Sequence, residues 1–378
     1  MNPAIPLSAP DITAAEIEAV TAVLLTNRLS LGPELEAFED ALARFHSVPH
    51  AVAVSSGTAG LHLALLALGI GEGCEVIVPS FAFIAVANSV MQVGATPVFV
   101  DIDPVTLNLD PQLVERAISP HTRAILVVHT FGVPAEVDRL AEIANTHRLA
   151  LIEDSCEALG AEFASRRVGS FGDCAVFGFY PNKQITTGEG GAILTHDPAR
   201  AARLRSLRNQ GRIPGAGWLD HAEVGFNYRL SEMACALGRI QLGRITEILA
   251  LRRAAAERYD ALLAGIPRLD RPALTLPGRT ISWFVYVVRL AAGSPQEAEI
   301  LRDRVQTTLA AEGVATARYF APVHMQPAWR NTLHAKNGHL PVTESAATRV
   351  LALPFFNRIT AAQQELVAKS LSKAISRL

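Results

Sequence analysis

A lysine and an acidic residue in this chain have the types and settings that pyridoxal phosphate chemistry requires. Lys183 lies in the glycine-rich segment 177–191, and Asp154 comes directly after the apolar run 149–152 and its neighbour Glu153. A primary amine forms an imine with an aldehyde, and a carboxylate keeps a pyridine nitrogen protonated so that the ring accepts electrons. The two residues together therefore predict a pyridoxal phosphate site.

Each of these residues also has an ordinary structural explanation. Most lysines are solvated surface charges, but the glycines around Lys183 let the backbone approach a bulky flat ligand. Asp154 could cap a helix over residues 155–159, whereas an acid that ends so apolar a run needs a partner to offset desolvation. Glu153 is an alternative buried acid, but alternation along a strand allows only one of the two acids to face a crevice.

A second motif, upstream of both residues, is suited to phosphate. Ser55, Ser56, Gly57 and Thr58 join the apolar run 51–54 to an apolar segment of helical period. Free backbone amides and hydroxyls at the positive end of a helix bind phosphate monoesters. Alone, the same string is an ordinary helix cap beside a glycine turn. With Lys183 downstream, it predicts the phosphate end of the site.

The elements that must position these residues follow a βα pattern. Short apolar runs at residues 51–54, 75–78, 96–100, 124–128 and 149–152 alternate with segments of helical period, which predicts an α/β fold with a mainly parallel sheet. Such sheets bind ligands beyond the carboxyl ends of their strands. Since Ser56, His129 and Asp154 all follow strand ends, several loops should converge on one crevice.

The rest of the chain predicts two domains. A length of 378 residues exceeds the usual size of one core. The large domain, residues 1–250, has N-terminal helices at 14–26 and 33–45, a further strand at 192–195 and a long closing helix at 230–251. Residues 251–378 form a smaller α+β domain, in which helices are predicted at 251–263, at 297–312 and from 361, with a strand at 284–290.

Composition excludes several classes of function. The formal net charge of −2 comes without a basic block, which argues against nucleic acid or a membrane surface as a partner. No apolar run is long enough to span a bilayer, and the N-terminus lacks the basic start and apolar core of a secretion signal. The four cysteines show no metal-ligand spacing. Reduced thiols, no metal and a cytoplasmic location are therefore expected.

The chain resembles the DegT/DnrJ/EryC1/StrS family of sugar aminotransferases, which are pyridoxal phosphate enzymes of fold type I. The likeness covers nearly the whole chain and rests on blocks in family order at residues 32–39, 55–58, 97–103, 152–154, 183–191 and 225–232. The resemblance implies a large domain built on a mainly parallel seven-stranded sheet flanked by helices, followed by the smaller C-terminal domain.

The resemblance also implies a role for individual residues. Lys183 would form the imine and carry the proton, and Asp154 would bind the ring nitrogen. The other expected cofactor-binding residues are Ser56, Gly57 and Thr58 at the phosphate, Phe83 on the ring face, Glu157 near the phenolic oxygen, and Asn227 at the phosphate bound by a neighbouring subunit. The role of Asn227 implies a homodimer with a shared active site.

Substrate contacts and two departures from the family pattern complete the expected site. Candidate substrate residues are Arg229, for the donor carboxylate or for structure; His324, for substrate or a structural turn; and Tyr319, Arg318, Arg28 and Ser30 at the nucleotide end.

Many relatives place a serine hydroxyl on the phosphate where this chain has Gly178. Relatives often have histidine where this chain has Phe284, on the sugar-facing wall. His129 is either a pocket residue or a satisfied core histidine.

The activity implied is a ping-pong transamination. L-glutamate would donate the amino group, pyridoxamine phosphate would be the intermediate, and a nucleotide-linked keto-sugar would accept it. A GDP-linked 4-keto-6-deoxy sugar, as in perosamine formation, is the leading substrate. Alternatives are an aminocyclitol or aminobenzoate-type aminotransferase, a noncatalytic cofactor-binding regulator, and a sugar dehydratase, although dehydratase relatives replace the lysine that is retained here as Lys183.

Overall fold

A seven-stranded sheet carries the apolar runs in the computed structural model, which describes residues 4–213, 220–330 and 339–376. Its strand order is β1-β9-β8-β5-β4-β2-β3. Only β9 runs antiparallel to its neighbours, β1 and β8, so the predicted mainly parallel sheet is confirmed. The strands described are β1 His50–Val54, β2 Glu75–Pro79, β3 Thr96–Val100, β4 Thr122–Val128, β5 Ala150–Asp154, β6 Glu162–Phe163, β7 Arg166–Arg167, β8 Cys174–Gly178, β9 Gly191–Thr195, β10 Leu269–Asp270, β11 Arg279–Thr280, β12 Tyr286–Leu290 and β13 Val350–Leu353.

Helices cover the sheet and build most of the C-terminal part. The helices described are α1 Ala14–Leu24, α2 Pro33–His46, α3 Gly57–Ala67, α4 Ala85–Gln92, α5 Pro111–Arg116, α6 Val137–His147, α7 Pro198–Arg208, α8 Glu232–Gly243, α9 Ile245–Leu262, α10 Pro295–Ala311, α11 Pro327–Arg330, α12 Pro341–Arg349 and α13 Ala361–Ser376. Throughout this described part of the chain, no helix combines the length and hydropathy that crossing a membrane requires.

The predicted single helix over residues 230–251 is wrong. Helix α8 ends at Gly243 and α9 begins at Ile245, so the predicted helix 251–263 corresponds to the C-terminal part of α9 and its cap residue. Arg244 between them adopts φ −97° and ψ 5°, and its side chain is held by Asp11 at 3.0 Å and Glu16 at 2.8 Å. The proposed domain division at residue 250 falls inside α9 and stays a prediction.

Two packing layers hold the sheet, and a separate core holds the C-terminal part. Helices α3 and α4 pack on one face of the sheet through residues such as Leu61 and Val86. Helix α6 packs on the other face through Leu140. The C-terminal three-stranded sheet, in the order β10-β12-β13, is covered by α9, α10 and α13, whose core includes Tyr259 and Leu371.

Candidate active site

A cavity of about 450 Å³ opens at the carboxyl ends of β1, β4, β5 and β8. This is the edge at which parallel sheets bind ligands. Of the residues predicted for the site, Ser56, Gly57, Thr58, Phe83, Asp154, Glu157, Lys183 and Tyr319 line the cavity. Since Tyr319 belongs to the C-terminal part of the chain, both parts contribute walls.

The first turn of α3 forms one end of the cavity. Ser56 is the N-cap residue, and its hydroxyl accepts a hydrogen bond of 3.0 Å from the Ala59 N–H. The N–H groups of Gly57 and Thr58 belong to the first turn, where a helix supplies no carbonyl partner. A Cβ on Gly57 would lie 2.8 Å from Cys156 Sγ, so a larger residue at this position would crowd the thiol at this end of the cavity. The geometry suits an anionic group such as a phosphate.

Asp154 lies at the end of β5 with its carboxylate at the cavity wall. The side chain is 8% exposed, and Oδ1 accepts a hydrogen bond of 3.0 Å from the Cys156 N–H. Glu153, which points to the opposite face, is fully buried and accepts hydrogen bonds from the N–H groups of Gly169 and Gly172. Only one of the two acids therefore faces the crevice, as strand alternation requires.

His129 belongs to the buried network beneath the site. Its Nδ1 accepts a hydrogen bond from the Ala135 N–H at 3.1 Å, which leaves the proton on Nε2 for donation to Glu153. Burial acts to raise the pKa of Glu153, but the hydrogen bond from His129 and those from the backbone outweigh it, so the pKa lies below its usual range. His129 is thus the satisfied core histidine of the two alternatives.

The Lys183 amine sits between a carboxylate and an aromatic ring. Its Nζ lies 3.8 Å from Glu157 Oε1 and 4.0 Å from the centre of the Phe284 ring, and the side chain is 16% exposed. Arg252 donates a hydrogen bond of 3.1 Å to the Lys183 carbonyl. Next in the chain, Gln184 donates one of 2.6 Å to the Glu157 carbonyl, which ties the lysine segment to the carboxylate segment.

Glu157 is a buried carboxylate with a weakened preference for ionisation. Its Oε2 accepts a hydrogen bond of 2.8 Å from the Phe131 N–H. Burial raises the pKa of Glu157 above its ordinary value, although the positive charge of Lys183 opposes the shift.

Aromatic rings form the remaining wall. Phe83, after β2, is 63% exposed, so its ring is free to cover a ligand in the cavity. Tyr319 stacks on Phe284 with an angle of 10° between the ring planes. Burial raises the pKa of Tyr319, so the phenol remains a neutral hydrogen-bonding group.

Other predicted site residues lie outside the cavity wall of this chain. His324 is buried and hydrogen-bonded to Ser80 at 2.6 Å and to Glu344 at 3.3 Å. These contacts fit a structural turn, the second of its two predicted roles. Arg229 donates to Asn209 at 2.8 Å. The residues that face solvent or a surface ion pair are Asn227, Arg28 and Ser30, all exposed, and Arg318, which pairs with Asp303 at 3.0 Å.

The cavity also contains residues to which no role was assigned from the sequence. Cys156, Tyr180, Asn182 and Phe320 all line it. Tyr180 and Asn182 precede Lys183 by three residues and one residue. Their closeness to the lysine in the sequence could have indicated them as site residues. Phe320 directly follows the candidate Tyr319, and the fold brings this C-terminal segment to the cavity.

The residues present fit pyridoxal phosphate. The first turn of α3 is suited to the phosphate, Asp154 to a protonated ring nitrogen, and Lys183 to an aldehyde carbon. The buried Oδ1 of Asn182 has no hydrogen-bond partner within the described residues, so it is available to a donor in the cavity. A Cβ on Gly191 would lie 2.7 Å from the Ser56 carbonyl, which explains a glycine beside the phosphate end.

Comparison with known proteins agrees with this reading. A family model described as the DegT/DnrJ/EryC1/StrS aminotransferase family matches residues 10–372. The GDP-perosamine synthase of Caulobacter vibrioides is 40% identical over 375 residues, which cover 99% of each chain. The dTDP-3-amino-3,4,6-trideoxy-alpha-D-glucose transaminase of Streptomyces venezuelae is 41% identical over 346 residues, 91% of this chain and 88% of that one.

A solved structure supports the same fold and cofactor. The putative sugar aminotransferase Spr1654 of Streptococcus pneumoniae is 27% identical, and its structures include a PLP form and a PMP form. The PMP form superposes with a TM-score of 0.93 over 99% of this chain and 98% of that one.

Proposed function

Because the chain belongs to the DegT/DnrJ/EryC1/StrS aminotransferase family, we propose that it transfers an amino group from L-glutamate to a keto-sugar carried on a nucleoside diphosphate. The chain is a pyridoxal phosphate-dependent sugar aminotransferase. The observation that carries the proposal is one cavity that combines Lys183, Asp154 and the first turn of α3.

The cofactor and the protein divide the chemistry between them. Bound pyridoxal phosphate supplies a carbon that accepts an amino group and a ring that withdraws electrons. Gly57 and Thr58 would hold the phosphate by their N–H groups. Asp154 would keep a proton on the ring nitrogen, and Phe83 would cover the ring face and exclude water. These residues fix the orientation of the group relative to Lys183.

Lys183 is the residue placed to move protons during the reaction. Its Nζ is inside the cavity, 3.8 Å from the carboxyl group of Glu157, whose pKa is raised by burial. An amine in this position could take the proton from the donor carbon in the first half-reaction and deliver a proton to the sugar carbon in the second. Glu157 would support the phenolic oxygen of the cofactor at the same end.

The proposed acceptor is a GDP-linked 4-keto-6-deoxy sugar. Its support is the likeness to the GDP-perosamine synthase over nearly the full length of both chains. The aromatic wall of Phe284, Tyr319 and Phe320 suits the apolar face of a deoxygenated sugar. A dTDP-linked keto-sugar is the second candidate, since the Streptomyces venezuelae transaminase is equally similar over a shorter stretch.

We also propose a homodimer whose partner subunit completes the site. Leu25 is 84% exposed and Val224 is 89% exposed, and Ile17 and Leu24 on α1 are exposed as well. Ile17, Leu24 and Leu25 recur at helical spacing, and a contiguous exposed apolar patch marks an interaction surface. A second copy would cover them, and the exposed Asn227 and Arg28 could then reach the partner's cavity. The four cysteines are free thiols, which fits the proposed cytoplasmic location.

The test of the proposed function uses purified protein with L-glutamate and a panel of GDP-, UDP- and dTDP-linked keto-sugars. The protein should absorb visible light and lose that band on addition of glutamate, with release of 2-oxoglutarate. A nucleotide keto-sugar should then restore the band and yield an amino sugar. We expect the GDP-linked 4-keto-6-deoxy sugar to give the highest kcat/KM.

Lys183→Ala provides the control for this assay. The variant should fold normally and should lose turnover, with a decrease of more than about 10²-fold expected from the loss of a positioned proton carrier. Turnover at the wild-type rate in Lys183→Ala would contradict the assignment. A deoxygenated sugar formed without incorporation of nitrogen would instead indicate a dehydratase.

A further inference from the structure

The Lys183 amine lies against the aromatic ring of Phe284. The Nζ atom lies 4.0 Å from the ring centre, within the range of a cation–π contact. Phe284 is buried, and Tyr319 stacks on it with nearly parallel rings. The lysine amine therefore faces an ordered ring and not a mobile side chain.

The two groups around the amine are held by the same backbone segment. Phe131 donates its N–H to Glu157 Oε2 at 2.8 Å, and its carbonyl accepts the Phe284 N–H at 3.2 Å. The carboxyl group and the ring that flank Nζ are thus fixed relative to each other through a single residue. This arrangement forms a defined seat for the amine between Glu157 and Phe284.

A third connection links the backbone of Lys183 to the backbone of Phe284. Arg252 is buried, and its Nη1 donates to the carbonyls of Trp283 at 3.0 Å and Phe284 at 3.2 Å. Its Nη2 donates to the Lys183 carbonyl at 3.1 Å. One guanidinium therefore sets the separation between the segment that carries the amine and the segment that carries the ring.

The carboxyl group alone is a weak counterion for the amine. Burial raises the pKa of Glu157, so this side chain holds a full negative charge less readily than an exposed glutamate. The face of a phenyl ring attracts a cation without titrating. The other titratable groups in the cavity wall are Asp154, Cys156, Tyr180, Glu189 and Tyr319.

We propose that Phe284 is a positioning residue that holds the free ammonium group of Lys183 over its ring face when the amine is not bonded to the cofactor. The proposal rests on the catalytic role of Lys183 given above. An amine that carries protons must stay beside the reacting carbon while it is free. The ring provides this position without offering a competing base.

The test measures the reactivity of Lys183 in the full chain freed of cofactor. Fluorodinitrobenzene labels unprotonated amines, and peptide mass spectrometry reports the label at Lys183. The ratio of the labelling rate at neutral pH to the alkaline plateau rate reflects the free-amine fraction and cancels differences in access. In Phe284→Leu this ratio should rise about 2- to 10-fold, the equivalent of one lost cation–π contact.

A shape-conserving series keeps the test valid if Phe284→Leu does not fold. Mono-, di- and trifluorinated phenylalanine at position 284 weaken the negative ring face stepwise, so the ratio should rise stepwise. Phe81 is the matched control, because it packs against Phe131 and Phe320 and does not line the cavity. The same series at position 81 should leave the ratio unchanged.

Two outcomes would overturn the positioning role: a flat ratio across the series at position 284, or equal responses at positions 284 and 81. Failure of the proposed function is distinguishable, because it would appear as absent turnover of nucleotide keto-sugars by the wild-type protein. The labelling ratio requires neither cofactor nor sugar.

Discussion

At the residue scale, the site is shaped as much by missing side chains as by those present. Cys156 occupies the space in front of Gly57 and Gly178, and a Cβ on Gly178 would lie 3.2 Å from its Sγ. The family resemblance predicts a serine hydroxyl on the phosphate at position 178. The thiol of Cys156 explains in physical terms why that hydroxyl is difficult to accommodate in this chain.

Cofactor affinity should respond to this packing. Gly178→Ser alone should weaken pyridoxal phosphate binding or leave it unimproved, because the new side chain crowds Cys156. Combined with Cys156→Ala, the same change should strengthen binding by up to about 10-fold, the worth of one hydrogen bond. Titration of the cofactor against all four proteins of the double-mutant cycle measures the coupling. Strictly additive effects would contradict the steric explanation.

At the element scale, a buried carboxylate organises the connection from β5 to β8. Glu153 accepts hydrogen bonds from the N–H groups of Gly169, Phe171 and Gly172 and is hydrogen-bonded to the His129 ring. The lowered pKa of Glu153 means that the ionised form stabilises the fold. That stabilisation is present above the usual carboxyl pKa of 4.5 and is lost as pH falls through the lower folded-state value.

Glu153→Gln should therefore destabilise the protein in a pH-dependent way. At neutral pH we expect a loss of about 2–4 kcal/mol in unfolding free energy, since an uncharged amide places N–H groups against N–H donors. Urea unfolding across pH values should show this difference shrinking in acid. Glu142→Gln is the control, because this side chain on α6 is exposed. It should lower the unfolding free energy by less than about 0.5 kcal/mol. A loss of unfolding free energy that does not change with pH would contradict the stabilising role of the ionised Glu153.

At the scale of the whole molecule, α1 combines a buried charged residue with exposed apolar residues. Its buried Glu16 pairs with Arg244, while Ile17 and Leu24 face outward. The exposed apolar residues of α1 fit the interface of the proposed homodimer. This surface continues to Leu25, at the C-terminal end of the helix.

Leu25→Glu should shift the protein from the proposed dimer to a monomer. The side chain is 84% exposed, so its replacement costs the isolated chain little, and any effect reports association. Analytical ultracentrifugation should show the change, accompanied by weaker cofactor retention because the proposed site is shared. Ile300→Glu on α10, 54% exposed, is the matched control and should leave the assembly intact. A dimer that persists in Leu25→Glu would place the interface elsewhere.

The sequence by itself determined the βα order, the strand end at Asp154 and the segment around Lys183, because hydrophobic period and glycine content act locally. Only the tertiary structure decided where α8 ends, that His324 bonds to Ser80 and Glu344, and that Phe284 lies under the lysine amine. Each of these depends on partners distant in the chain. Local pattern leaves several conformations nearly equal in free energy, and long-range contacts select among them.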